Sequence, residues 1–216
     1  MGTGGRLPER APSGTWVRRP TDAGALVIGL AVTAAGMVAV RDGSVSGLEE
    51  DVFRAVNDLP GALYPLIWPV QQLGVLVIGP VVAIVAAAMR RFRLAGAAVV
   101  ATILKLGLER VVKALVTRER PGTSLSGDIE ARGHVPLTGE SFTSGHVMLA
   151  VAIAGVVAPY LPGRWRALPW VLAGLVGFGR VYVGAHLPLD VVCGAALGLA
   201  IAGGVNLMFG VRAAPR

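Results

Sequence analysis

The run AGALVIGLAVTAAGMVAV, residues 23–40, has eighteen residues, no charge and a single hydroxyl. As a helix rising roughly 1.5 Å per residue, it is long enough to cross the hydrocarbon of a bilayer with little tilt. It exceeds the apolar core of a signal peptide, and no small-residue cleavage site follows it, so it reads as a retained first span. Before it, residues 1–22 carry Arg6, Arg10, Arg18 and Arg19 among glycine and proline, the composition of a short disordered tail. After it, residues 41–58 are acidic. There Ser46 and Glu49 match a capping box, and Leu48, Val52 and Val56 recur every four residues. That pattern predicts a short helix lying on the membrane surface, and an ordinary connecting helix fits it equally well.

The rest of the chain repeats this signature. Of 216 residues, 54% are hydrophobic and 15% charged, and the mean hydropathy of +0.65 is high for a soluble domain. Further spans are expected at about 63–88, from about 94, at 144–160, 168–183 and 187–210. Pro65, Pro69 and Pro80 are expected to bend the second. The fold class is therefore all-α, a six-transmembrane-helix bundle with a short interfacial helix after the first span. The tails and the turns at 90–93 and 161–167 hold eleven arginines, whereas Asp42, Glu49, Glu50, Asp51 and Asp58 crowd the first loop on the other side. The positive-inside rule then places both termini in the cytoplasm and the 117–140 loop outside. Residues 23–211 form one membrane domain, with its chemistry-bearing motifs within 113–190. The net charge of +7 follows from this topology rather than from a nucleic-acid partner. Cys193 is the lone cysteine and excludes an internal disulfide. Eighteen arginines against two lysines, with abundant Ala, Gly and Val, point to a GC-rich bacterium, hence to a bacterial plasma membrane.

This topology brings three polar clusters to one membrane level. Lys113 and Arg120 end the third span. Ser144, Gly145 and His146 open the fourth. Arg180, His186 and Asp190 occupy the junction of the last two, in GRVYVGAHLPLD, residues 179–190. Each has an ordinary reading alone: Lys113, Arg118 and Arg120 as snorkelling residues, Thr143 or Ser144 as a helix cap, His146 as a surface histidine. Together they suit phosphoryl transfer. Lys113, Arg120 and Arg180 would neutralise a phosphate, and the amides of Ser144 and Gly145 at a helix start would add donors. Two histidines divide the remaining work, one attacking phosphorus and one protonating the leaving oxygen. His186 is the better nucleophile, because Asp190, four residues on, can hold its other nitrogen. His146 is then the acid. Glu109, one helical turn from both Lys105 and Lys113, would support Lys113. No metal-ligand spacing or cofactor motif is present.

These blocks resemble the type 2 phosphatidic acid phosphatase superfamily, whose signature is K-x6-RP, PSGH and SR-x5-H-x3-D. Here they read KALVTRERP at 113–121, TSGH at 143–146 and GRVYVGAHLPLD at 179–190. The resemblance covers the chain from the third span onward. It implies phosphate binding by Lys113, Arg120, Ser144, Gly145 and Arg180, a general acid at His146, a nucleophile at His186 and its partner at Asp190. It also implies metal independence and a phosphorylated lipid substrate in the bilayer. Thr143 stands where proline is usual and Gly179 where serine is usual. The expected activity is hydrolysis of polyprenyl diphosphate, phosphatidylglycerol phosphate or phosphatidic acid. A phosphotransferase using the same histidine is the alternative. A transporter or scramblase is a third reading, motivated by Lys105 within a span, where a lysine costs about 2.5–3.5 kcal/mol on insertion scales; an intrahelical pair with Glu109 would account for it. His134 in the long loop reads as solvated, or as a headgroup contact.

Overall fold

The computed structural model describes residues 15–212, and they are mostly helical. A two-residue strand, β1 (Trp16–Val17), precedes α1 (Pro20–Ala39). The expected tail thus divides: 1–14 lie outside the described residues, while 15–22 are ordered as strand, cap and first helical turn. Arg19 Nε bonds Asp22 Oδ2 at 2.9 Å, and Asp22 in turn accepts from Asn206 Nδ2 at 3.1 Å.

Along α1, Val27, Ile28, Leu30 and Val38 face outward, whereas the buried positions are Asp22, Gly29, Thr33 and Gly36. Large residues outside and small ones inside is the pattern of a helix packed in lipid. The close approach is real: a Cβ at Gly29 would lie 2.7 Å from the Ala200 nitrogen of the last helix.

Next come α2 (Gly47–Asn57), a 3-10 turn at Gly61–Leu63, α3 (Tyr64–Gln71), a second 3-10 turn at Gln72–Gly74, and α4 (Ile78–Ala88). The expected second span is therefore broken, with its two parts bent by 68°. Pro65 sits in the first turn of α3, where a missing N–H is harmless, and Pro69 lies inside α3 without ending it. Pro80 has no N–H to give the Leu76 carbonyl and its ring bars a helix from running back through that residue, so it favours a helix that starts after the break. The break falls at Val75, which is extended (ψ 148°) after the 3-10 turn. Gly74 there presses its backbone on His146, leaving no room for a side chain: a Cβ would lie 2.8 Å from that of His146.

A tight turn leads into α5 (Phe92–Leu115); then follow the single turn α6 (Pro121–Ser124), α7 (Gly145–Val157) with a 3-10 extension at Ala158–Tyr160, α8 (Leu168–Tyr182), α9 (Pro188–Phe209) and β2 (Val211–Arg212). β2 pairs antiparallel with β1. α7 is the central helix: every residue but His146 and Val157 is buried, as expected for a helix apolar all round. It packs on α5, α8 and α9, with Met148 and Ala152 meeting Ala101, Leu197 and Ile201 in the main core. By length and composition α1 and α9 can cross a membrane, and the bent α3–α4 unit would make a third span.

α2 forms where its capping residues predict it. Ser46 caps it, accepting from the Glu49 amide at 3.2 Å. Leu48 and Val52 are exposed, while Glu49, Phe53 and Asn57, also four apart, face the protein; Phe53 and Asn57 are fully buried. The Glu49 carboxylate does not return to Ser46 but reaches Arg118.

Candidate active site

Four helix ends and one turn meet at one end of the bundle: the C-termini of α5 and α8, the N-termini of α7 and α9, and residues 183–187 between α8 and α9. Asp190, in the first turn of α9, accepts the Leu187 amide at 3.0 Å and so caps its own helix. Its other oxygen takes Arg118 Nη1 at 2.8 Å. Ser141 Oγ donates a very short bond to Asp190 Oδ2 and lies 3.3 Å from His186 Nδ1. His186 Nδ1 and Asp190 Oδ2 are 3.7 Å apart, beyond a direct hydrogen bond. The expected His–Asp contact is thus relayed through Ser141. Burial, first of all, pushes His186 down to about 4; Asp190 opposes this, and Arg180 and Arg120 add to it. The imidazole is neutral at physiological pH.

Arg118 is no snorkelling residue. Its side chain is fully buried, with Nη2 2.6 Å from Glu49 Oε2 and Nη1 on Asp190. Burial alone would lower its pKa, but bonding and charge from Glu49 and Asp190 outweigh this and raise it. Glu49 Oε1 also accepts the Leu189 amide at 2.9 Å. Sequence reading missed Arg118, Ser141 and Glu49; the only signal was an arginine two residues before Arg120 beside an acidic helix.

Arg120 donates to the Ala185 carbonyl at 2.7 Å, which sets it beside the His186 turn. Arg180, buried at the end of α8, donates Nη1 to Gln71 Oε1 at 3.2 Å, while its Nε has no partner among the described residues. Ser144 Oγ is likewise buried and unpartnered. The Ser144 amide, expected to face a phosphate, instead bonds the Asp190 carbonyl at 3.0 Å. The Gly145 and His146 amides remain free of intrahelical partners, as at any helix start. On α5, Glu109 lies between Lys105 (2.6 Å) and Lys113 (3.1 Å), and its carboxylate fills the space where a Gly145 side chain would be. Lys113 therefore joins the cluster through Glu109. His146 and Arg180 open on a cavity of about 250 Å³ shared with Gln71, Trp68 and His134, so His134 stands at the rim. Arg132 clamps the long loop, its guanidinium bonded to the Asn57, Tyr182 and Leu59 carbonyls and lying 4.2 Å from the Tyr182 ring centre.

The model of the PAP2 superfamily matches residues 94–213. The chain belongs to the PAP2 superfamily. It is 30% identical over 163 residues, 72% of its length, to the bacitracin transport permease protein BcrC of Bacillus licheniformis, covering 78% of that protein. It is 33% identical over 105 residues to phosphatidylglycerophosphatase B of Bacillus subtilis, a match over 43% of this chain and 46% of the relative. The PAP2 fold is also that of the LpxE crystal structure from Aquifex aeolicus, at a TM-score of 0.67 and 27% identity, covering 76% of this chain and 96% of the other. A transmembrane PAP2-type phosphatidylglycerolphosphate phosphatase from Bacillus subtilis superposes equally well, at 0.67 and 24% identity, over 87% and 95%. The motifs at 113–121, 143–146 and 179–190 all fall inside the PAP2 match.

Proposed function

We propose that this chain is an integral-membrane lipid phosphatase. It hydrolyses a phosphate monoester or diphosphate of a lipid on the extracytoplasmic face, through a phosphohistidine at His186 and without a metal. The observation that carries this is the proton inventory at Ser141. Its hydroxyl has one hydrogen, and the Asp190 carboxylate, an acceptor only, takes it. Ser141 Oγ therefore meets His186 Nδ1 as an acceptor, the proton sits on Nδ1, and Nε2 keeps its lone pair. A buried, neutral imidazole held in that tautomer is a nucleophile.

In the first step Nε2 attacks phosphorus and the bond to the lipid oxygen breaks, His146 protonating that oxygen. Asp190 stabilises the imidazolium through Ser141. Arg120, Arg180, Lys113, the Ser144 hydroxyl and the Gly145 amide hold the phosphoryl oxygens; the unpartnered Ser144 Oγ and Arg180 Nε support this. In the second step water attacks phosphorus, gives a proton to His146, and the P–N bond breaks to release inorganic phosphate. Phosphatidylglycerol phosphate, polyprenyl diphosphate and phosphatidic acid are the substrates to assay, the first in keeping with the name of the Bacillus subtilis relative. The transport reading loses its motive because Lys105 is paired with Glu109. Phosphate release by purified enzyme, with EDTA and no acceptor alcohol, tests the whole scheme. His186→Ala should lose at least about a thousandfold. Full activity in His186→Ala, loss restored by a divalent ion, or phosphate released only when an acceptor is supplied would each sink part of it.

A further inference from the structure

At the opposite end of the bundle from His186, a cavity of about 490 Å³ is lined by Arg90, Arg91, Arg93 and Arg212 together with Trp16 and Tyr160. No carboxylate lines it, and among the described residues none of the four arginines enters an ion pair. Topology alone calls for basic residues near this end, and Arg164 and Arg166 on the open 161–167 turn meet that need. The cavity arginines are different because tertiary structure gathers them. The β1–β2 ribbon sets Trp16 opposite Arg212. Arg93 lies 4.5 Å from the centre of the Trp16 ring and donates to the Phe209 carbonyl. Trp16 packs on Tyr160, ring centres 6.2 Å apart. The first turn of the 24-residue α5 opens here with no side-chain cap, so its free amides add donors and a favourable dipole. The Tyr160 phenol adds a further hydroxyl donor. Met89 and Phe92, 57% and 69% exposed, form an apolar rim.

We propose that this cavity binds the phosphate of an anionic phospholipid headgroup, its acyl chains leaving over Met89 and Phe92. Donors and positive charge inside with hydrocarbon at the mouth match an amphiphile better than a free anion, and basic pockets at helix ends are the usual form of such sites. The test is binding of a fluorescent phosphatidylglycerol to the full chain in neutral detergent. Binding should exceed that of phosphatidylcholine at least tenfold. Arg91→Gln with Arg212→Gln should weaken it about 25-fold, at about fivefold per arginine, while Arg164→Gln with Arg166→Gln, equal in charge and outside the cavity, should change it less than twofold. If the double variant does not fold, Arg90→Gln alone should cost about fivefold. Equal loss in the control pair, no preference for phosphatidylglycerol, or displacement by millimolar inorganic phosphate would overturn the assignment, the last showing a site for free anions.

Discussion

Asp190 and Gly179 show how single residues set this site. Asp190 caps α9, anchors Arg118 and orients Ser141 at once, so its place in the sequence motif reflects three structural jobs as well as chemistry. At Gly179 a Cβ would lie 2.9 Å from Gln71 Cγ and 3.0 Å from Ile67 Cγ2. Gln71 occupies the space that the usual serine would need, and it holds Arg180. Gly179→Ser should therefore lower activity by displacing Gln71, while Gln71→Ala in that background should recover part of the loss; kinetics of the double-mutant cycle read the coupling, and additive effects would refute it. The titration of His186 makes a second prediction. Its folded pKa of about 4 lies below the ordinary 6.5, so its contribution to stability is complete above pH 6.5 and is lost as pH falls towards 4. Thermal unfolding should drop over that window in the wild type and much less in His186→Gln. The acid limb of kcat/KM, set by protonation of His186, should lie below pH 5. Lys113, Arg120, His146, Arg180, His186 and Asp190 were legible because polar residues are so costly in an apolar chain; Ser141 and Gln71 were not, because an uncharged residue at a loop or helix end carries no such mark, and Arg118 and Glu49 were not, because each had an ordinary reading as a snorkelling residue or a helix cap.

Among the elements, α2 is a structural part of the site. Glu49 joins it to Arg118 and to the start of α9, and Asn57 joins it to the long loop and the end of α8. Arg118→Met would leave two buried carboxylates without a counter-charge. It should cost about 3–5 kcal/mol and at least a hundredfold in kcat, whereas Glu49→Gln, which keeps the Asp190 pair, should cost clearly less. Thermal unfolding and phosphate release measure both, and wild-type kcat in Arg118→Met would contradict the placement. Periodicity revealed that α2 exists and where it begins. Its contacts with the site were not legible, because Glu49, Phe53 and Asn57, the residues that make them, are one apolar and two polar side chains with no stripe of their own. The bend in the second span was expected from its prolines, but its place at Val75 was hidden, since the seating of Gly74 against His146 leaves no mark in the local sequence.

For the whole molecule, the helices after α5 were readable to within a residue or two because continuous apolar runs leave the chain few other choices. α1, α9 and the bent α3–α4 unit are long and apolar enough to cross a membrane, and we propose that α5, α7 and α8 complete a six-span arrangement. In that arrangement, cysteines placed in the 90–93 and 161–167 turns should label only from the cytoplasm, and those at 42–58 or 126–131 only from outside; labelling of both sets from one side would reject it. The ribbon of Trp16–Val17 with Val211–Arg212 has a consequence of its own. It closes the described chain into a ring, with its two ends side by side at the face remote from His186. Cutting and rejoining such a ring changes the order of the helices in the gene without changing their neighbours in space, so the order of the three motifs along the chain is incidental to how they meet.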